Sequence, residues 1–508
     1  MASIQQTLLG LAAATCLINV AGAGPVDTSL QADTIGGFAK TLSERIEEVP
    51  GFAVAVVRGD EVVLAEGYGH ADIEAGVKAD ADTLFYIAST TKSFTGTALN
   101  LLHHRGEIDL DASLADYAPG VTFKPEIRAD EVKLRDLLTH SSGIDNSPIG
   151  FRVAYSGEHS PKILWDLLQS SEPNTEYPLG MFQYTNVGYN ILTRLAEERT
   201  GKPWQDMLRD EIFGPLGMHR TTAYVSKADR NGWSKARPYF GLMPSGPQRA
   251  YLEKQDNTMQ SAGGLLTTAN DAARWMSANL SGGVLNGKRL LPEQPLGEAR
   301  ARLVPVVKRF EDLEATHYGL GWAIGSLHGR EVAFHPGGFA GFYSNITIMP
   351  KENIGVAVFT NGAPGEGLAL ALMRYAYAVM LAMEGASIEA ETQIAALESR
   401  ISQVRPRIVA DLEKRKKRQW DLSRPFEDYA GVYRNELYGD IVVSIRDGVP
   451  HVTMGNMYAS ATPFPHDEME AMRVELVPFR GELLVFRMED ANPPSALRYD
   501  GDLFERVP

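Results

Sequence analysis

Strand-like segments before residue 386 fall into two groups far apart in the chain, and this spacing constrains the fold more than any other feature. "GFAVAVVRGDEVVLAEGYG" (51–69) reads as two apolar runs broken by Arg58-Gly59-Asp60, a hairpin. Well downstream, "YGLGWAIG" (318–325), "EVAFHPGG" (331–338) and "SNITIMPKENIGVAVFTNG" (344–362) return to strand patterns, read as three strands. An amphipathic helix over 31–48 precedes the hairpin. A strongly apolar helix, "GLALALMRYAYAVMLAM" (367–383), closes the set; it is short and follows a strand directly, so it reads as core-facing rather than as a membrane span. The order predicts one α/β (α+β) domain over 24–386, its sheet assembled from both ends around a large helical insertion.

Composition shifts after that domain. Residues 387–422 are rich in Glu, Lys and Arg, with "EKRKKRQ" at 413–419, and read as a charged, solvated helical linker; the sharper alternative is a basic docking patch. From 423 to 508 short alternating strands with turns predict a small all-β, barrel-like domain, as in Ile441, Val443 and Ile445 before the Asp447-Gly448 turn.

The first 23 residues carry an apolar run (8–21) followed by Ala21-Gly22-Ala23, a small-residue site that a signal peptidase could cut. The expectation is a signal peptide and a secreted or periplasmic protein, although Lys and Arg are missing from its start. A buried helix or a retained anchor is the alternative. Cys16, the single cysteine, lies in this segment, so a mature chain would have no thiol chemistry, disulfide or Cys-based zinc site. A net charge of −15 disfavours nucleic acid and anionic membrane as main partners, since both reward Lys and Arg.

The chemistry is carried by "IASTTKSFTG" (87–96). Ser89 stands three residues ahead of Lys92 at the opening of an apolar-periodic helix that stops at Gly106, so the two side chains are neighbours. A serine hydroxyl is a poor nucleophile until a base takes its proton. A lysine is such a base only when its pKa falls from about 10.4 toward about 7, which takes roughly 4–5 kcal/mol of desolvation and nearby positive charge. Phe85, Ile87 and Phe94 could help keep the pocket dry. The chain has no G-x-S-x-G elbow and no H-E-x-x-H to rival it. Two further pieces follow in order. "FQYTNVGYNIL" supplies Tyr184-Thr185-Asn186, on a loop before a helical run. "AFHPGGFAGF" supplies His335-Pro336-Gly337, a strand with glycines after it. Tyr343-Asn345, Tyr433-Asn435 and His317-Tyr318-Gly319 match the same short patterns and are weaker candidates.

Taken together, S-x-x-K, Y-x-N and H-x-G in this order resemble the serine hydrolases related to class C β-lactamases and low-molecular-weight penicillin-binding proteins. "LRDLLTHSSGI" (134–144), "SAGGLLTTANDAARW" (261–275) and "YGLGW" (318–322) add to the resemblance, which spans about 35–385; the C-terminal part resembles lipocalin-like barrels. The resemblance implies an antiparallel sheet flanked by helices, no cofactor and no metal. It implies Ser89 as nucleophile and Lys92 with Tyr184 as the proton relay. Asn186, Gly337 and Gly338 would bind substrate, with the oxyanion between the backbone N–H groups of Ser89 and Gly338. His335 would replace a lysine and tune Tyr184 as a cation that titrates around 6–7. Pro336 lacks the N–H and side-chain donor that a substrate carboxylate would use. The implied reaction is acyl-enzyme hydrolysis of amide bonds in peptides containing D-amino acids. Ester and then β-lactam hydrolysis follow as alternatives, acyl transfer is a further option, and a catalytically weak binding or assembly protein is the alternative of another class. The partner expected is a small peptide or ester substrate, with oligomeric state open. His140 reads as a turn-stabilising residue, Gly263-Gly264 as a close-packing pair and Trp322 as core or pocket wall.

Overall fold

The computed structural model describes residues 28–306, 313–465, 469–489 and 492–508. The candidate signal segment and Cys16 lie outside the described residues. Helix α1 (Thr28–Arg45) leads into the hairpin β1 (Gly51–Arg58) and β2 (Glu61–Asp72). The later strands are β3 (Glu314–Tyr318), β4 (Ala323–Leu327), β5 (Arg330–Phe339), β6 (Phe342–Met349) and β7 (Ile354–Thr360). They form one antiparallel sheet in the order β3-β4-β5-β6-β7-β1-β2, extended at its edges by the short strands Val304–Pro305 and Val77–Lys78. The seam lies where β1 pairs with β7, Val54 opposite Val358, so the two ends of the domain meet inside the sheet rather than at an edge.

The three downstream strands expected are five. "YGLGWAIG" breaks at Gly321, whose φ is +85° and where a Cβ would lie 2.0 Å from the Lys92 carbonyl oxygen. A chain forced that close to a helix backbone needs glycine there and cannot continue as a strand. The 344–362 run breaks at the turn after Met349, between β6 and β7.

Both faces of the sheet are covered, which is why β1 is apolar at successive positions rather than alternating. Ala53, Ala55 and Val57 face one core with Ala357 and Phe359, beneath the helical insertion and α2 (Thr91–His104). Phe52, Val54 and Val56 face the other, under α1 and the closing helix α3 (Gly365–Met380). The charged stretch after it is helix α4 (Ala386–Lys416). It is not wholly solvated: Ala390, Ile394, Leu397 and Ile401, spaced three to four residues apart, are buried in this second core.

The C-terminal part is a nine-stranded, nearly closed barrel-like sheet around a third core that includes Tyr429, Tyr433, Ile441, Leu484 and Phe504. It docks against the insertion. Arg152 donates to Leu437 O (2.6 Å) and Glu436 O (3.2 Å), Asn456 N donates to Ser156 O (2.7 Å), and the Phe151 ring meets Tyr438 and Tyr499. The guanidinium of Arg480 lies 5.9 Å from the Tyr155 ring, which stacks on Phe339 at the end of β5.

Candidate active site

The turn that presents Ser89 is held from several sides. Ile87 N donates to Leu265 O (3.0 Å), and Ile87 O accepts from Ser344 Oγ (2.7 Å) on β6. Thr90 Oγ1 donates to His335 O (2.9 Å) on β5. Residues Ala88–Thr90 form a 3₁₀ turn that runs into α2, and Ala88 has a φ of +41°. A left-handed alanine is strained backbone that persists only when its surroundings over-determine it, and such strain clusters at functional sites. Gly337 is buried beneath this turn: a Cβ there would lie 2.2 Å from Ile87 O and 2.8 Å from Ser89 N. Gly338 is the exposed glycine of the pair.

Lys92 is completely buried. Its Nζ lies 2.7 Å from Ala262 O, 2.8 Å from Asn186 Oδ1 and 3.2 Å from Ser89 Oγ. Burial disfavours the ammonium form and pushes the pKa well below the usual lysine value. A neutral amine has two protons and one lone pair. The two carbonyl-type oxygens can only accept, so they take both protons. In the neutral amine the lone pair is then left for the remaining neighbour, and the Ser89 hydroxyl is placed to donate to it. This is the arrangement a general base needs.

Rings wall the amine. Nζ is 5.0 Å from the Tyr184 ring centroid and 5.3 Å from that of Tyr189. His140 packs on Tyr184 (4.5 Å), Tyr318 (4.8 Å) and Tyr189 (5.3 Å), and its Nδ1 accepts from Thr185 N (3.3 Å) in the loop that carries Tyr184. Burial, with the Lys92 charge second, holds the His140 pKa well below the ordinary histidine value.

His335 departs from its expected role. It is fully buried, and burial followed by Lys92 lowers its pKa to about 3. Its Nδ1 lies 2.6 Å from Pro336 O, an acceptor, so Nδ1 carries the ring proton and Nε2 accepts from the Tyr318 hydroxyl (2.9 Å). The ring is neutral at every pH near 7, and its centroid is 6.1 Å from that of Tyr184. The cation titrating around 6–7 is replaced by a neutral imidazole–phenol pair, because complete burial and then the nearby Lys92 disfavour the imidazolium.

The structure therefore gathers Ser89, Lys92, Tyr184, Asn186 and His335 in one neighbourhood, with Gly337 under the nucleophile's turn and Gly338 exposed beside it. It adds His140, Tyr189, Tyr318 and the Ala262 carbonyl, which motif reasoning missed. The segments "LLTHSSG" and "YGLGW" flagged the neighbourhood, but a histidine at a turn and a tyrosine beside a rival H-x-G match carry no signal of what they face. Trp322 is buried and stacked on Trp275, and Gly264 lies against Trp204, both packing positions.

Fold and site together define a serine hydrolase with a buried lysine beside its candidate nucleophile. The chain belongs to the Beta-lactamase family, whose model matches residues 38–379. Penicillin-binding protein 4 of Amycolatopsis lactamdurans is 31% identical over 325 residues, covering 62% of this chain and 81% of that protein. The D-aminopeptidase of Gluconobacter oxydans is 27% identical over 325 residues, 61% of this chain and 56% of the relative's length. Among solved structures, the octameric penicillin-binding protein homologue from Pyrococcus abyssi superposes with a TM-score of 0.58 at 20% identity, over 94% of this chain and 100% of that one. The D-amino acid amidase from Ochrobactrum anthropi has a TM-score of 0.54 at 24% identity, over 66% of this chain and 91% of that one. These likenesses show the fold, and the first of them extends across the barrel as well. No helix among the described residues is long and apolar enough to cross a membrane.

Proposed function

We propose that this hydrolase cleaves amide bonds of D-aminoacyl compounds through an acyl-enzyme on Ser89. The observation that carries the reading is the completely buried Lys92 amine with its Nζ 3.2 Å from Ser89 Oγ, a burial that favours the neutral form a base needs. As Oγ attacks the carbonyl carbon, its proton passes to Nζ and the carbonyl oxygen becomes an oxyanion facing the N–H groups of Ser89 and Gly338. The proton goes on, with Tyr184 in the relay, to the leaving nitrogen, and the C–N bond breaks. Water repeats the sequence in reverse, losing its proton to the same relay and freeing Ser89.

A second observation narrows the substrate. Burial pushes Lys92, His140 and His335 toward their neutral forms around the nucleophile, and Pro336 offers no N–H. Nothing in this set holds a carboxylate beside the scissile bond, which favours amides, aminopeptidase-type substrates and esters over C-terminal carboxypeptides and β-lactams. The D-aminopeptidase and D-amino acid amidase relatives support the amide reading and the D configuration. Export is part of the proposal, resting on the apolar run before Ala21-Gly22-Ala23; N-terminal sequencing of the protein recovered from its native host tests it.

A panel of D-aminoacyl amides, their L counterparts, short acyl esters, a free C-terminal dipeptide and a chromogenic cephalosporin tests the function. The expected ranking by kcat/KM puts D-aminoacyl amides first and the cephalosporin last. Turnover of esters with none of amides would make the protein an esterase and overturn the reading.

A further inference from the structure

The basic run 413–419 is not absorbed by catalysis. It ends at a cavity of about 560 Å³ between the first domain, the end of α4 and the barrel, a size and location usual for ligand sites. One side is apolar: Phe240 from the first domain and Phe479 from the barrel meet at 4.0 Å between ring centroids, with Tyr251 beside them. Phe479 is 47% exposed and has a φ of +66°, so a large ring is held at the surface on strained backbone.

The other side is cationic, and its charges are incompletely matched. Arg415 (2.9 Å) and Arg473 (2.5 Å) both pair with one oxygen of Glu475, Oε1. Arg418 stacks over Phe464 at 5.2 Å, and its Nη1 is buried with no hydrogen-bond partner. Glu475 Oε2 is likewise buried without a partner. An unmet guanidinium nitrogen and an unmet carboxylate oxygen each cost stability, and because both are closed off from solvent, a small side-chain shift toward the cavity is needed for a ligand group to meet them. Guanidinium nitrogens prefer carboxylates. A carboxylate oxygen already flanked by two arginines on its other oxygen is complete with a neutral N–H.

We propose that this junction is a binding site for the free C-terminus of an apolar peptide. The terminal carboxylate meets Arg418, the last amide N–H donates to Glu475 Oε2, and the apolar side chains lie against Phe240, Tyr251 and Phe479. The site is separate from Ser89 and does not rest on which bond the enzyme cleaves.

Calorimetric titration of the full-length Ser89→Ala protein with N-acetyl-Phe-Leu, in both hand forms, and with the matching C-terminal carboxamides tests it. The acid is expected to bind at least tenfold more tightly than the amide. That preference should disappear in Arg418→Ala, return in part in Arg418→Lys, and weaken with added salt; Phe479→Ala should weaken acid and amide alike. Equal binding of acid and amide to the parent protein, or no binding, overturns the proposal. So does a preference that survives Arg418→Ala, which would put the peptide elsewhere. Decanoate binding as tightly as the peptide would make the cavity a fatty-acid crevice. Binding to vesicles containing anionic lipid, without peptide binding, would make it a membrane-docking face. Either result also overturns it.

Discussion

Two regions of the first domain each bury a lysine, and they behave differently. Lys92 opens α2, and Lys254 lies in the loop after the short strand Gln248–Arg249. Both are buried; burial pushes Lys92 well below the lysine range and brings Lys254 to about 7. Each amine also donates to two carbonyl-type oxygens. For Lys254 these are Ala223 O (2.9 Å) and Gln255 O (2.7 Å), and what lies beyond is the Tyr86 ring at 5.8 Å. For Lys92 the third neighbour is the Ser89 hydroxyl. Desolvation makes both amines available as bases. Only Lys92 has a hydroxyl within reach of its amine, which is what the proposed mechanism uses, while Lys254 ties two backbone segments together.

The largest expected effect tests the nucleophile. Ser89→Ala should lower kcat on the order of 10⁶-fold while leaving thermal unfolding cooperative. Retained turnover would break the comparison at once. Lys92→Met should lower kcat by roughly 10³–10⁴-fold, since it removes the base and leaves the hydroxyl with no acceptor. In the parent enzyme the acidic limb of the kcat/KM profile reports protonation of Lys92, so activity should rise with pH through that limb.

Lys254→Met sharpens the contrast from the other side. Its kcat should stay within a few-fold of the parent, but its stability should lose pH dependence. The folded pKa of Lys254 lies below the unfolded value, so between about 7 and about 10.4 the unfolded chain binds more protons and stability rises with pH. In the variant that rise should be shallower by one proton, at most about 4–5 kcal/mol over the whole window, read from denaturant midpoints across pH.

His335 makes the corresponding statement on the acid side. Its folded pKa of about 3 lies below the unfolded value of about 6.5, so stability falls as pH drops through that interval. His335→Gln should flatten the fall by one proton and leave the acidic limb of the rate profile in place; a limb that moves would restore charge to the ring. The smallest effect is expected of Tyr318→Phe, which removes the buried hydroxyl that bonds His335 and Tyr189 and should cost about 1–2 kcal/mol.

The architecture was legible because hydrophobic period and chain order carry it. The hairpin at 51–69, the closing apolar helix and the alternating C-terminal strands all lie where their patterns put them. The strand count was not legible, because Gly321 breaks its run through a contact with Lys92 O that no local pattern encodes. Ser89 and Lys92 could be paired from sequence since one helical turn joins them. The charge on His335 could not be read there: it depends on Tyr318, Pro336 O and complete burial, all of them tertiary. His140 escaped for the same reason, since its ring contacts come from residues spread between Tyr184 and Tyr318.

The hydrogen bond from Thr90 to His335 O spans 245 positions of the chain. During synthesis the nucleophile's segment leaves the ribosome long before the strand that braces it exists. Leu265 and the Tyr184 and Tyr189 rings precede β5, but until that strand arrives and Gly337 seats beneath Ile87 O, the turn at Ala88 lacks the braces on its other side. The nucleophile's turn is thus completed by one of the last strands of its domain to be made.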